Sequence, residues 1–216
     1  MSDRSIKRKT SHFVRDDAKK DMSITASQVA ELREKTGAGL MDAKRALEET
    51  NGDMEKAAED LRKKGIAKAG KKSDRETHEG RVHAYIHSNA KLGAMVQVLC
   101  ETDFVARTDA FIEMCNDIAI HVSAMDPMYL TRADVPAEIV AKEQELTRGE
   151  LAAQNKPADV IEKIMEGKMN KWFSETVLME QAFIKDDTKT VEDFLKEKIS
   201  TLGENMQVKR FARFIF

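Results

Sequence analysis

The chain has 216 residues, 34% of them charged, and 36 Lys and Arg against 38 Asp and Glu leave a net charge of -2. That balance gives no bulk attraction to nucleic acid or to an anionic bilayer, so neither is expected as a specific partner. No run approaches the ~20 apolar residues of a membrane span. Three prolines and ten glycines point to a helix-rich chain, long enough for one compact domain plus a small one.

Residues 1–22 are polar and basic-leaning, with Arg4, Lys7, Arg8, Lys9, Arg15, Lys19 and Lys20 set against Asp3, Asp16, Asp17 and Asp21. They lack the apolar stretch of a secretory signal and read as a flexible extension. Residues 23–65 predict a module of three short helices. Thr25 and Gln28 have capping-box spacing, Val29 and Leu32 mark an inward face, and Gly37 offers a stop. The second helix carries Leu40, Ala43 and Leu47 on one stripe and ends at Asn51-Gly52, both tolerant of left-handed backbone. Asp53 caps the third, whose inward residues are Met54, Ala57, Ala58 and Leu61, with Gly65 as its stop. So small a core suits a docking head better than a catalyst. Leu40 and Met41 are adjacent, and a helix cannot bury two successive residues equally, so one is expected to be exposed. The Gly37-Ala38-Gly39 loop is open to two readings, a contact surface or helix-pair packing. No Gly-Lys-Ser/Thr follows it, which excludes a P-loop.

Residues 66–80, rich in Lys and Gly, read as a linker. In residues 81–216 a hairpin comes first: Arg81–Ser88 alternates, with Val82, Ala84 and Ile86 on one side and His83, Tyr85 and His87 on the other, and Gly93–Cys100 is its second strand. The histidine side is expected to face solvent or a partner, since no carboxylate or cysteine joins the pair at metal-ligand spacing. Cys100 and Cys115 lie in apolar runs outside any C-x-x-C pattern, which predicts reduced thiols in a cytoplasmic protein. At the end of the second strand, Thr102-Asp103-Phe104-Val105 turns into a helix. Phe104 is either a core anchor beside a capping aspartate or a presented aromatic.

Phe111, Ile112, Cys115, Ile118, Ala119 and Val122 then form a helical stripe that Pro127 breaks. Pro136 and Pro157 open two further helices, the second running towards Trp172 and Phe173. Asp186-Asp187 reads as a loop ahead of a short helix capped at Thr190, and Gln207–Phe216 as a third strand. No nucleophile elbow, Rossmann fingerprint, P-loop, H-E-x-x-H or zinc cluster is present, so no covalent chemistry, metal or cofactor is expected.

The runs ITASQVAELREKTGAGLMDAKRALEETNGDMEKAAEDLRKKG, CETDFVAR, EQAFIKDDTKTVEDFLKE and VKRFARF resemble, in that order, the signatures of the translation elongation factor Ts family. The likeness runs from Ile24 to Phe214. Ala182 departs from it, because members more often carry proline there. The resemblance implies an α+β fold: an N-terminal three-helix, ubiquitin-associated-like module plus a core of a three-stranded antiparallel sheet packed with helices. It implies guanine-nucleotide exchange on elongation factor Tu, a GTPase, without direct nucleotide binding. Thr102, Asp103, Phe104 and Val105 would enter the GTPase and disturb its magnesium and phosphate site. Arg33, Leu40, Met41 and Lys44 would dock the head, Leu40 standing where members more often have methionine. Because longer members duplicate the core, a chain with one core implies a homodimer binding two GTPases. The competing reading is a module that binds ubiquitin-like or nascent chains without exchange activity.

Overall fold

A computed structural model describes residues 24–152 and 157–216 of the chain. The extension expected over residues 1–22 lies outside that range. The first helix, α1 (Ala26–Thr36), starts at the expected capping box: Thr25 accepts from the Gln28 amide at 3.2 Å, and Gln28 accepts from the Thr25 amide at 2.9 Å. α1 ends at Gly37, and α2 (Leu40–Glu49) follows, then the left-handed Asn51 and Gly52. α3 (Met54–Gly70) is capped by Asp53. Val29, Leu32, Ala43, Ala46, Leu47 and Ala57 form the buried core of this head, with Met54, Ala58 and Leu61 packed against it.

Leu40 departs from the expected stripe. It opens α2, where no earlier turn shelters it, and both Leu40 and Met41 face outward, 56% and 66% exposed. Gly65 does not stop α3 either. It lies inside the helix, buried, where a Cβ would meet Ser200 at 3.3 Å. The missing side chain lets α3 lie against α8 (Val191–Leu202). Beside this contact Arg62 pairs with Asp193 and Glu197, each at 3.3 Å. α3 is thus shared: Ala57 belongs to the head core, while Ala69 belongs to the main one.

The main core is a three-stranded antiparallel sheet of β1 (Glu79–Ile86), β2 (Leu92–Cys100) and β5 (Met206–Ile215), in the order β1-β2-β5. α5 (Asp109–Met125) covers one face, packing Phe111, Met114, Cys115, Ile118, Ala119 and Val122 on Ala94, Val96 and Val98. α8 adds Val191, Phe194, Leu195 and Ile199. Between α5 and α8 run the paired helices α6 (Ala137–Ala152) and α7 (Ala158–Thr176) and the short ribbon β3 (Ala182–Phe183) and β4 (Asp186–Thr190). Asp186 and Asp187 are therefore strand residues rather than loop residues.

The hairpin faces opposite to expectation. His83 pairs in register with fully buried Val96 and bonds Asn116 of α5 at 3.3 Å, so the histidine side turns towards the helices. Val82, Ala84 and Ile86 lie on the uncovered side. In β5 strict alternation also fails. Val208 pairs with Val98 and Arg210 with Gln97, leaving Lys209 as the extra residue of a bulge. The bulge buries Val208 yet turns Arg210, Ala212 and Phe214 to the uncovered face.

Candidate functional site

At the end of β2 the chain leaves the ladder at Cys100 and turns through Glu101 and Thr102 into α4 (Asp103–Ala106), a single helical turn. Thr102 is its N-cap, with Oγ1 accepting from the Val105 amide at 3.4 Å. From beneath, the Cys100 thiol donates to the Thr102 carbonyl at 3.1 Å. Ala106 is buried and Val105 packs on the core, so the turn has an anchored side. Its other side carries Phe104, 79% exposed. A core-anchor role for Phe104 is ruled out, and Thr102 rather than Asp103 does the capping. Asp103 sits in the first turn, as a carboxylate favours there, and pairs with Arg107 at 2.8 Å.

Arg33, Leu40, Met41 and Lys44 are exposed together on the head. Arg33 reaches the Ala38 carbonyl at 3.4 Å and so braces the loop between α1 and α2. Lys44 lies 3.8 Å from Glu48, an open pair of little energetic weight. Two apolar side chains and two cations are thus exposed on α1 and α2, the helices that the Gly37-Ala38-Gly39 loop joins.

The uncovered sheet face is a third unit. Val82, Ile86, Met95 and Phe214 are large and exposed. In register they form two rows, Ile86–Gly93–Phe214 and Ala84–Met95–Ala212, bounded by Val82–Gln97–Arg210. Small residues between large ones leave an apolar relief exposed on this face. Its edges, β1 and β5, have no further strand among the described residues.

Other candidates are accounted for internally. His87 bonds Tyr85 at 2.9 Å, Asp186 is held by Thr188 and Lys189, and no group of three metal-ligating side chains occurs among the described residues. Trp172 packs edge-on against Phe173 at 5.0 Å, with Arg132 over the other ring at 4.4 Å. Cys100 and Cys115 are free and fully buried, and burial pushes their thiols up to about 11 and about 12. Neither can bridge to a second chain without unfolding.

The pattern of residues did not disclose His121. It is fully buried, and its Nδ1 accepts from the Ile184 amide at 3.2 Å. That bond leaves the proton on Nε2, which donates to Gln181 Oε1 at 3.0 Å. Burial lowers its pKa, against a smaller opposing pull from Gln181. Gln181 in turn donates to the carbonyls of Met125 and Glu175, at 3.1 and 2.8 Å. Glu204 and Asn205, which grip the Thr102 turn, were likewise not disclosed, because their partners are about a hundred residues away.

The model of the family described as Elongation factor TS matches residues 11–215. Elongation factor Ts of Geobacter sulfurreducens is 56% identical over 194 residues, 90% of this chain and 90% of its own length. That of Thermosipho melanesiensis is 56% identical over 191 residues, 88% of this chain and 97% of its own. That of Fervidobacterium nodosum is 53% identical over 192 residues, 89% and 98%. Among the described residues no helix is long and apolar enough to cross a membrane.

Proposed function

The chain belongs to the elongation factor Ts family, and from that premise we propose that it is a guanine-nucleotide exchange factor for elongation factor Tu. It acts in the cytoplasm and uses no covalent chemistry. The observation that carries the reading is Phe104, a large aromatic held 79% exposed on an anchored turn. Leaving such a ring in water is unfavourable, and a pocket on a partner relieves it. The wedge reaches the GTPase beside its magnesium and phosphate site, displaces the groups that organise them, and loosens the nucleotide. Asp103 adds a carboxylate there, moderated by its pairing with Arg107. Thr102 and Val105 hold the turn. Binding that favours the empty GTPase must weaken nucleotide binding by the same factor.

The head, residues 23–65, docks on the same GTPase through Arg33, Leu40, Met41 and Lys44, and residues 81–216 form the exchange core. Two chains pair through the uncovered sheet face, giving a homodimer with one GTPase per chain. The exposed Val82, Ile86, Met95 and Phe214 support this pairing. Two such sheets stack ~10 Å apart, and each large side chain covered contributes roughly 1.5–3 kcal/mol before the cost of association. The test is the release of fluorescent GDP from elongation factor Tu, with the chain far below stoichiometric amounts. Many turnovers per chain are expected; release no faster than the intrinsic rate would defeat the proposal.

A further inference from the structure

α4 has one turn, and an isolated turn of helix has no stability of its own. Among the described residues nothing encloses Phe104, which stays 79% exposed. Its direction therefore depends on whatever holds the backbone at Glu101 and Thr102, where the β2 ladder has ended.

That hold comes from the far end of the sequence. α8 closes at Gly203, whose φ of 84° is left-handed and suits glycine. The reversal brings Glu204 back against the turn. Its Oε2 accepts from two successive amides, Glu101 at 3.1 Å and Thr102 at 3.0 Å. Its Oε1 accepts from the Thr102 hydroxyl at 2.6 Å. One carboxylate thus takes three donors from two adjacent residues, and hydrogen bonds to a charged acceptor are the stronger kind. The second of those residues is the N-cap of α4, so the sequence of contacts runs from Glu204 through Thr102 and the Val105 amide to the helix bearing Phe104.

Asn205 extends the grip to the segment that follows α3. Its amide donates to Glu101 Oε1 at 2.5 Å, and its side chain donates to the carbonyls of Ser73 and Arg75, at 3.2 and 2.7 Å. Arg75 also reaches Glu101 at 3.4 Å. The segment descending from α3, the wedge turn and the start of β5 meet in this one knot.

We propose that Glu204 is a positioning residue for exchange, its carboxylate fixing the Thr102 turn so that Phe104 meets the partner already oriented. This rests on the reading of Phe104 as the wedge. Glu204 touches neither the GTPase nor the nucleotide. It acts by sparing the turn the ordering that binding would otherwise require.

The test uses the full chain with Glu204→Ala and Glu204→Gln. GDP release from elongation factor Tu is followed against factor concentration, and amide hydrogen exchange is read at Glu101, Thr102 and Val105. For Glu204→Ala the maximal release rate is expected to fall about tenfold, while the half-maximal concentration moves less than about twofold, since the head surface is intact. The three amides should exchange at least about tenfold faster, with Val96 and Val98 in β2 still protected. Glu204→Gln keeps one oxygen for the backbone amides and should fall between. If the alanine variant loses protection at Val96 and Val98 too, the folded glutamine variant decides. A wild-type release rate, or wild-type protection at the three amides, in the folded variant would overturn the proposal. Should the wild-type chain itself fail to speed GDP release, the exchange reading is what fails. A failure of Glu204 shows separately, as unchanged amide protection in the variants.

Discussion

Replacing Gly65 with leucine tests whether the head and the core are one mechanical unit. The alanine change alone is finely balanced. A helical Gly→Ala substitution gains about 1 kcal/mol. Its Cβ, however, would sit 3.3 Å from Ser200 Oγ and 3.4 Å from Ser200 Cβ, so the serine must yield slightly. Leucine places three more carbons beyond that first contact. Overpacking of this kind costs about 1–3 kcal/mol, and the propensity gain of roughly 0.8 kcal/mol returns part of it. A net loss of up to about 2 kcal/mol is expected, focused on the joint between α3 and α8. Opening that joint also strains the Arg62 pairs with Asp193 and Glu197. The assay is urea unfolding read by circular dichroism, which sees every helix, and by the fluorescence of the lone Trp172, half-buried on α7 against Phe173 and remote in sequence from the head. The wild-type curves should coincide. In Gly65→Leu the dichroism should begin to fall first, because a three-helix head freed from α8 is marginal. Coincident curves with an unchanged midpoint would refute the coupling.

Two further outcomes are expected. His121 is buried neutral, so its folded pKa lies below the ordinary 6.5 and the unfolded chain takes up the proton first as pH falls. Its contribution is intact above that value and declines below it, by up to about 1.4 kcal/mol per pH unit. Urea midpoints at pH 7.5 and 5.5 should therefore drop more steeply for wild type than for His121→Gln, and parallel declines would show that the histidine is not held neutral. Phe214→Glu places a charge in the uncovered sheet face. On the proposed pairing, sedimentation should find the wild type dimeric and Phe214→Glu monomeric, and a dimeric variant would remove that face from the interface.

The head was the most legible part of the chain, because its signals are local. Thr25 with Gln28, Asp53 and the Asn51-Gly52 turn each act within a few residues. Burial inside the main helices followed the 3.6-residue period for the same reason, as Phe111, Cys115 and Ile118 show. Misreadings arose where distant parts of the chain decide. Gly65 looks like a helix stop until Ser200 is brought against it. Val82, Ala84 and Ile86 look like the inner side of β1, yet α5 covers the side bearing His83 and Tyr85. The bulge at Lys209 cannot be seen in a strand whose alternation is otherwise regular. At the site itself, Thr102 to Val105 stood out in the sequence, but the exposure of Phe104 did not follow from it, because a turn from strand to helix can point an aromatic either way. Glu204 was the hardest to foresee: a surface-type residue becomes specific only when the fold brings it to Thr102, 102 positions earlier in the sequence.

The most direct measurement compares wild type, Phe104→Ala and Asp103→Ala in the release of fluorescent GDP from elongation factor Tu, with thermal unfolding of the same samples. Because Phe104 is 79% exposed, its loss should alter stability by no more than about 0.5 kcal/mol. Exchange by Phe104→Ala should nevertheless fall by at least about tenfold, as for a side chain that anchors an interface. Asp103→Ala, already partly neutralised by Arg107, should fall less. Full exchange by a normally melting Phe104→Ala chain would contradict the wedge account, and an equal or larger loss in Asp103→Ala would reverse the ranking of the two residues.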